Sequence, residues 1–275
     1  MKTYILNRKT VVITGASGGF GSELTKLLVN EYGCRVIGIG RSKEKMEELS
    51  LSLGESRSRF KYSLFDVSKR ENWVKFASLL EEKGVIPDLL INNAGIMPPF
   101  ENFEDEDGEL AKRVIDVNFM SVVYGCEIML PLLKRSKQGG IVSVASSAAF
   151  SPIVGAAVYS ASKGAVKNFT LSLAEELNGR IYVGCVCPGF SKTGLFRDNN
   201  YTEEDYDFID GMGTDKNDIA EAVVNGVKNC KKLIVCGKDS RLMTAMSSVA
   251  PVKSNALYSK VMKESKLNMF KGLKK

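Results

Sequence analysis

The sequence predicts a doubly wound α/β fold, a single parallel sheet with helices packed on both faces. Three observations predict it. Short Val- and Ile-rich runs alternate with helix-period segments along most of the 275 residues. The first such run ends in a glycine-rich turn that opens directly into a helical pattern. The composition, 44% hydrophobic and 25% charged, is that of a chain able to bury a large core.

Thr10–Thr14 (TVVIT) is a continuous apolar run of the kind buried on both faces of a parallel sheet. The helix that follows, Gly19–Tyr32, repeats apolar residues at helical spacing through Phe20, Leu24, Leu27 and Leu28. Cys34–Ile39 is the second strand, Lys43–Leu53 a helix and Phe60–Leu64 the third strand. A helix near Lys69–Lys83 leads to a fourth strand, Ile86–Ile91, and a long helix over Glu106–Leu133. Gly140–Ala145 is the fifth strand and Ala156–Leu177 another long helix. Ile181–Val186, a helix over Asp215–Lys228 and a last strand, Leu233–Cys236, complete the alternation. Such alternation calls for right-handed crossovers in one sheet. One domain is read over residues 1–240, with a basic extension over residues 241–275.

Composition excludes whole classes of chemistry. The chain has no histidine, so a Ser-His-Asp triad, a Cys-His dyad and a His-ligated metal are ruled out. Proton transfer near neutral pH falls to Tyr, Lys, Cys or a carboxylate. The net charge of +6 lies in the tail, where Lys253, Lys260, Lys263, Lys266, Lys271, Lys274 and Lys275 face one acid, Glu264. The rest is balanced, which argues against a nucleic-acid partner. The six cysteines form no CxxC pair and sit mostly in strand-like runs, as reduced core cysteines do. The first residues show no signal-peptide pattern, and no apolar run approaches the roughly 18–20 residues of a spanning helix. A cytoplasmic location is the expectation, with no metal.

The turn Gly15-Ala16-Ser17-Gly18-Gly19-Phe20-Gly21 has the strand–turn–helix context of a phosphate cradle. Glycine lets the backbone approach a pyrophosphate whose charge suits a helix N-terminus. Thr14-Gly15-x-x-x-Gly19-x-Gly21 resembles the cofactor motif of the short-chain dehydrogenase/reductase family. Asn92-Asn93-Ala94-Gly95 resembles that family's second motif. Ser146, Tyr159 and Lys163 match its catalytic spacing, with the serine thirteen residues before the tyrosine. Asn118 matches its helix asparagine, and Pro188-Gly189 its motif after the sixth strand. The resemblance covers about residues 9–237 and implies a Rossmann-type sheet, a nicotinamide cofactor and a small carbonyl or alcohol substrate.

The resemblance also implies roles. Thr14, Gly15, Ser17, Gly18, Gly19, Phe20 and Gly21 form the cradle. Asp66 and Val67 bracket the adenine; a helix cap is the alternative for Asp66. Asn92 and Ala94 meet the adenosine ribose, beside Gly95, and Thr193 holds the nicotinamide carboxamide near Pro188 and Gly189. At the second strand's end, Ile39-Gly40-Arg41-Ser42 lacks the acid that binds a free 2′-hydroxyl. Arg41 instead offers a planar fork for a 2′-phosphate, with Ser42 either a second donor or a helix cap. NADP(H) is therefore favoured over NAD(H).

Tyr159 and Lys163 stand four residues apart on a helix, so phenol and ammonium are neighbours. A free phenol has a pKa near 10, and a nearby ammonium and a nicotinamide cation are both expected to lower it. By resemblance, Tyr159 exchanges the proton, Ser146 holds the carbonyl oxygen, Lys163 holds ribose hydroxyls and Asn118 orders a water. Ser147 competes with Ser146; strand alternation lets only one of them face the substrate.

Between Gly189 and Thr214, aromatic and apolar residues (Phe190, Leu195, Phe196, Tyr201, Tyr206, Phe208, Ile209, Met212) mix with six acids. The acidic loop Phe100–Glu109 adds to this, and the two predict a lid over a bulky, apolar, uncharged or cationic substrate. The tail after Ser240 is read as a partly disordered solvated terminus, with an anionic membrane surface or a subunit interface as alternatives. The function expected is hydride transfer between NADP(H) and a ketone or alcohol on a bulky apolar, steroid- or lipid-like molecule, with a tyrosine as acid and base. A 3-oxoacyl thioester reductase and a catalytically silent nucleotide-binding regulator are the alternatives. The two long helices resemble the family's dimer-forming pair, so a homodimer or homotetramer is expected.

Overall fold

The computed structural model describes residues 3–191, 201–265 and 267–273. Seven strands form one parallel sheet: β1 (Thr10–Thr14), β2 (Arg35–Gly40), β3 (Phe60–Leu64), β4 (Leu89–Asn92), β5 (Gly140–Val144), β6 (Tyr182–Pro188) and β7 (Leu233–Cys236). Their spatial order is β3-β2-β1-β4-β5-β6-β7. The order reverses between β1 and β4, where Val12 lies in register with Leu90. That reversal opens a crevice at the strands' carboxyl ends, the place where such sheets bind ligands.

Buried strands need cover on both faces. One side holds α1 (Gly19–Asn30), α2 (Lys43–Ser52) and α8 (Lys216–Lys228); the other holds α3 (Arg70–Glu82), α4 (Gly108–Ile115), α5 (Ser121–Arg135) and α6 (Ala157–Glu176). Two apolar clusters result. One packs Leu24, Leu28 and Val223 beneath Val11 and Ile13. The other packs Trp73, Met129, Leu133 and Val166 against Val12, Leu90 and Ile141. Asp215 caps α8 by accepting from the Asn217 N–H at 2.7 Å. All six cysteines are free thiols.

Three expectations change. The long helix is not uniform: a π-helical turn, Asp116–Met120, joins α4 to α5. The fourth strand starts later than read, at Leu89, because Pro87 has no N–H to donate to a ladder. The helical rod Gly108–Arg135, mean hydropathy 1.3, does match a membrane span in length and composition. Its apolar residues Val122, Met129 and Leu133 are buried in the second cluster, as in a core helix.

The tail departs most from its reading. After α7 (Glu203–Met212), α8 and β7 come α9 (Lys238–Val249), α10 (Pro251–Glu264) and a 3₁₀ turn, Asn268–Phe270. Leu267, Met269, Phe270 and Leu273 are buried in a third cluster with Met97, Phe100, Ile153 and Tyr159. Apolar burial, which irregular spacing in the sequence hides, overrides the solvated reading there. Val249, Val252, Leu257 and Val261 on the two helices remain exposed.

Candidate active site

The glycine turn is built by backbone constraints. Gly15 has φ +64°, a left-handed value, and a Cβ there would press on the Ala94 backbone at 3.1 Å. At Gly21 a Cβ would lie 2.4 Å from the Gly15 carbonyl oxygen, so α1 could not approach the turn. The turn is tied across the sheet. Thr14 Oγ1 accepts from the Asn93 and Ala94 N–H groups, both at 2.9 Å. Asn93 Nδ2 donates to the Thr14 carbonyl at 2.9 Å and the Gly15 carbonyl at 3.1 Å.

A dinucleotide fits what this turn leaves open. The N-cap of α1 is Gly18, which offers no side-chain cap. A Cβ added at Gly18 finds no heavy atom nearer than 4.0 Å. Gly15, Gly18, Gly19 and Phe20 line one cavity with Ala94, Gly95, Ser146, Tyr159, Lys163, Pro188 and Gly189. An uncapped helix start with bare glycine backbone suits an anion.

Toward the adenine side, Arg41 is exposed at the end of β2. Ser42 caps α2, accepting from the Lys45 N–H at 3.2 Å and donating to Glu44 at 2.8 Å. Asp66 accepts from the Ser68 N–H at 2.9 Å and hydroxyl at 2.8 Å. Partial burial pushes its carboxyl up, but those hydrogen bonds and the Arg41 charge outweigh it and leave it below its ordinary value. The Val67 carbonyl accepts from Trp73 Nε1 at 2.9 Å, which fixes the chain beside Asp66. Ser17 lies near Gly40, its Oγ 3.8 Å from where a Gly40 Cβ would be.

Asn92 is corrected. Its buried side chain turns away from the cavity, Nδ2 3.5 Å from Cys126 Sγ, because neighbouring residues at a strand end face opposite ways. Its neighbour Asn93 lines the cavity instead. That same alternation was the signal available in the sequence. Thr193 lies in 192–200, outside the described residues, as do Leu195 and Phe196.

The catalytic candidates converge from three elements. Tyr159 and Lys163 are buried one turn apart on α6, and Lys163 Nζ lies 5.8 Å from the Tyr159 ring centre. Lys163 Nζ donates to the Val144 carbonyl at 3.0 Å. Asn118 sits in the π turn, fully buried. Its Nδ2 donates to the Ile96 carbonyl at 2.9 Å and to Ser162 Oγ at 3.0 Å, and its Oδ1 accepts from the Ile96 N–H at 2.8 Å. The π turn thus holds the chain that follows β4, a use typical of such bulges. Gly95 lets these groups close up, since a Cβ there would be 3.2 Å from Asn118 Oδ1 and 3.3 Å from Lys163 Nζ.

Two further expectations fail. Ser146 and Ser147 both line the cavity, because β5 ends at Val144 and a 3₁₀ turn over Ser147–Ala149 breaks the alternation. Ser146 Oγ accepts from the Ala148 N–H at 3.2 Å. The Tyr159 phenol is also not lowered: burial pushes it up to about 12, although the neighbouring Ser146 hydroxyl pulls it down. Burial lowers Lys163 to about 8. Lys163 is still charged at neutral pH, and burial is the larger of the two influences on the phenol.

Sequence reasoning missed several residues here. Met97, Ile153 and Ser191 line the substrate end of the cavity beside Phe190, which the sequence places in the lid. Asp239 holds that end together: its Oδ2 accepts from the Phe190 N–H at 2.6 Å, and a Cβ on Gly189 would collide with it at 2.0 Å. It lies fifty residues from Gly189, and no local pattern marks it. Asp205, one of the six acids of the 189–214 segment, is fully buried.

The profile of the short chain dehydrogenase family matches residues 9–204. This chain belongs to the short-chain dehydrogenase/reductase family, a family of NAD(P)-dependent oxidoreductases. A benzil reductase ((S)-benzoin forming) of Saccharomyces cerevisiae is 32% identical over 197 residues, 69% of this chain and 74% of that protein. The NADP-dependent 3-hydroxy acid dehydrogenase YdfG of Escherichia coli is 30% identical over 223 residues, 78% of this chain and 86% of its own. Among solved structures, an actinorhodin polyketide ketoreductase with NADPH superposes with a TM-score of 0.75 at 26% identity, covering 84% of this chain and 97% of that one. A serine dehydrogenase in closed form with NADP+ gives 0.74 at 26% identity, over 82% of this chain and 93% of its own.

Proposed function

We propose that this oxidoreductase uses NADP(H) to interconvert a ketone and an alcohol on a bulky, apolar substrate. The observation that carries the reading is one cavity shared by the uncapped glycine turn and by Ser146, Tyr159 and Lys163. When bound, the reduced nicotinamide supplies hydride to a carbonyl carbon. Tyr159 gives its phenolic proton to the oxygen as charge develops there, and the high phenol pKa keeps that proton in place at neutral pH. Ser146 hydrogen-bonds the same oxygen and orients the carbonyl. Lys163, charged below about pH 8, stabilises the phenolate left behind. Asn118 anchors the Ile96 backbone and so positions the cavity wall. Thr193 is proposed for the carboxamide by resemblance.

Arg41 at the strand end supports a 2′-phosphate, and the named cofactors of the relatives agree. Met97, Ile153 and Phe190 support an apolar substrate, in keeping with an aromatic diketone as the substrate named for the yeast relative. A homo-oligomer built on α5 and α6 is part of the reading; light scattering at micromolar concentration should give at least twice the 30.1 kDa chain mass. The decisive experiment follows NADPH absorbance over a panel of apolar diketones, ketones and 3-oxoacyl thioesters. Turnover of the diketones above the thioesters is the expected result. Turnover of thioesters alone, or of nothing, overturns it.

A further inference from the structure

We propose that residues 267–273 are a strap that sets substrate specificity, and that Asp205 is the positioning residue that latches it. This rests on reading the cavity as a carbonyl-reducing site. Asp205 lies on α7 and is fully buried, yet it has no cationic partner among the described ion pairs. Its carboxylate is instead divided between two backbones. Oδ1 accepts from the Met269 N–H at 3.0 Å, at the 3₁₀ turn of the strap. Oδ2 accepts from the Thr202 N–H and hydroxyl, both at 2.8 Å. Burying a carboxylate is costly unless hydrogen bonds satisfy it, so this group holds strap and α7 together as one piece.

The strap then meets the two loops that carry the substrate wall. Phe270 packs on Phe100 with ring centres 5.0 Å apart, on the loop that contains Met97. The Gly272 carbonyl accepts from Asn102 Nδ2 at 2.9 Å. Leu273 fills the place where a Cβ on Gly155 would sit, 2.3 Å from its Cδ2, on the loop that contains Ile153. Those loops are joined by the Glu101 N–H donating to the Gly155 carbonyl at 3.0 Å. The strap's described hydrogen bond and ring contact to this part of the site fall on the loops of this wall. Loosening it should therefore soften the apolar contacts of a large substrate and leave proton transfer and cofactor binding alone.

The test uses the full chain with Asp205→Asn and, separately, Phe270→Ala. Benzil is the bulky probe and butane-2,3-dione the small one, with NADPH as reductant. The expected result is a rise of roughly tenfold in KM for benzil, with kcat for the small dione and NADPH affinity held within twofold. Benzil KM unchanged within twofold in both variants overturns the proposal, as does an equal loss with both diones. If the wild type reduces neither dione, the functional reading fails and the strap is judged by hydrogen exchange. The Glu101 amide should then exchange at least tenfold faster in Asp205→Asn than in wild type. Equal protection overturns the strap.

Discussion

The cofactor end and the substrate end of this cavity are made of different material. The cofactor end is backbone: Gly15 and Gly21 permit approaches that a single Cβ would block, and Thr14 and Asn93 tie two strand ends with four hydrogen bonds to main-chain groups. The substrate end is apolar side chain drawn from distant parts of the chain, Met97, Ile153, Phe190 and, behind them, Phe270 and Leu273. Backbone recognition admits few residue types, so it leaves a readable motif. An apolar wall admits many, so it leaves none. The proposed catalytic residues stand between the two, and the largest effects are expected there.

Tyr159→Phe removes the proton donor and keeps the ring. Turnover should fall about 10²- to 10⁴-fold with NADPH affinity nearly intact. Steady-state rates and cofactor titration check this, and near-normal turnover would refute the proton role. Arg41→Ala tests the outer rim of the cofactor end. NADPH affinity should drop by roughly 10- to 150-fold while NADH changes little. An equal change in both means that Arg41 does not read the phosphate.

Gly21→Ala attacks the backbone itself. A Cβ 2.4 Å from the Gly15 carbonyl oxygen must push α1 off the turn. The cost should be about 1–3 kcal/mol in denaturant unfolding, with weaker binding of both cofactors alike. A fully stable variant with normal cofactor affinity would erase the contrast drawn between the two ends.

The smallest effect is in pH. Lys163 lies below its ordinary 10.5, at about 8, so its charge is present at pH 7 and lost by pH 9. Reductive kcat/KM should be level below pH 8 and fall up to about tenfold per unit above it. Tyr159, up at about 12, keeps its proton across that range and adds no limb of its own. Lys163→Arg keeps the charge at all these pH values. Its profile, though lower throughout, should lose the limb near 8. A limb that stays in that variant assigns it to another group.

Much of this protein was legible before any coordinate. β1 appears with the bounds that its apolar run suggests, since a strand buried on both faces must be apolar without interruption, and the less buried β3 and β7 also keep the bounds read for them. The glycine turn and the Tyr159/Lys163 pair were legible for the same kind of reason: a tight turn admits only glycine, and four residues of helix bring two side chains to one face. Where local geometry changes mid-element, the sequence was silent. The π turn that buries Asn118 and the 3₁₀ turn that brings Ser147 beside Ser146 both break a regular period. Asn93 rather than Asn92 faces the cavity, a choice of side that the paired letters do not record.

The sequence by itself determined the alternation of strands and helices, the backbone cradle and the spacing of the reacting groups. All of these follow from constraints within a few residues of each other. Only the tertiary structure decided which way the phenol and ammonium shift, because burial, the largest cause for both, comes from the whole surrounding core. Only the tertiary structure placed Asp239 against Gly189 and joined Asp205 to Met269. Those contacts span tens of residues, and no local spacing encodes a carboxylate whose partners are backbone groups brought together by packing.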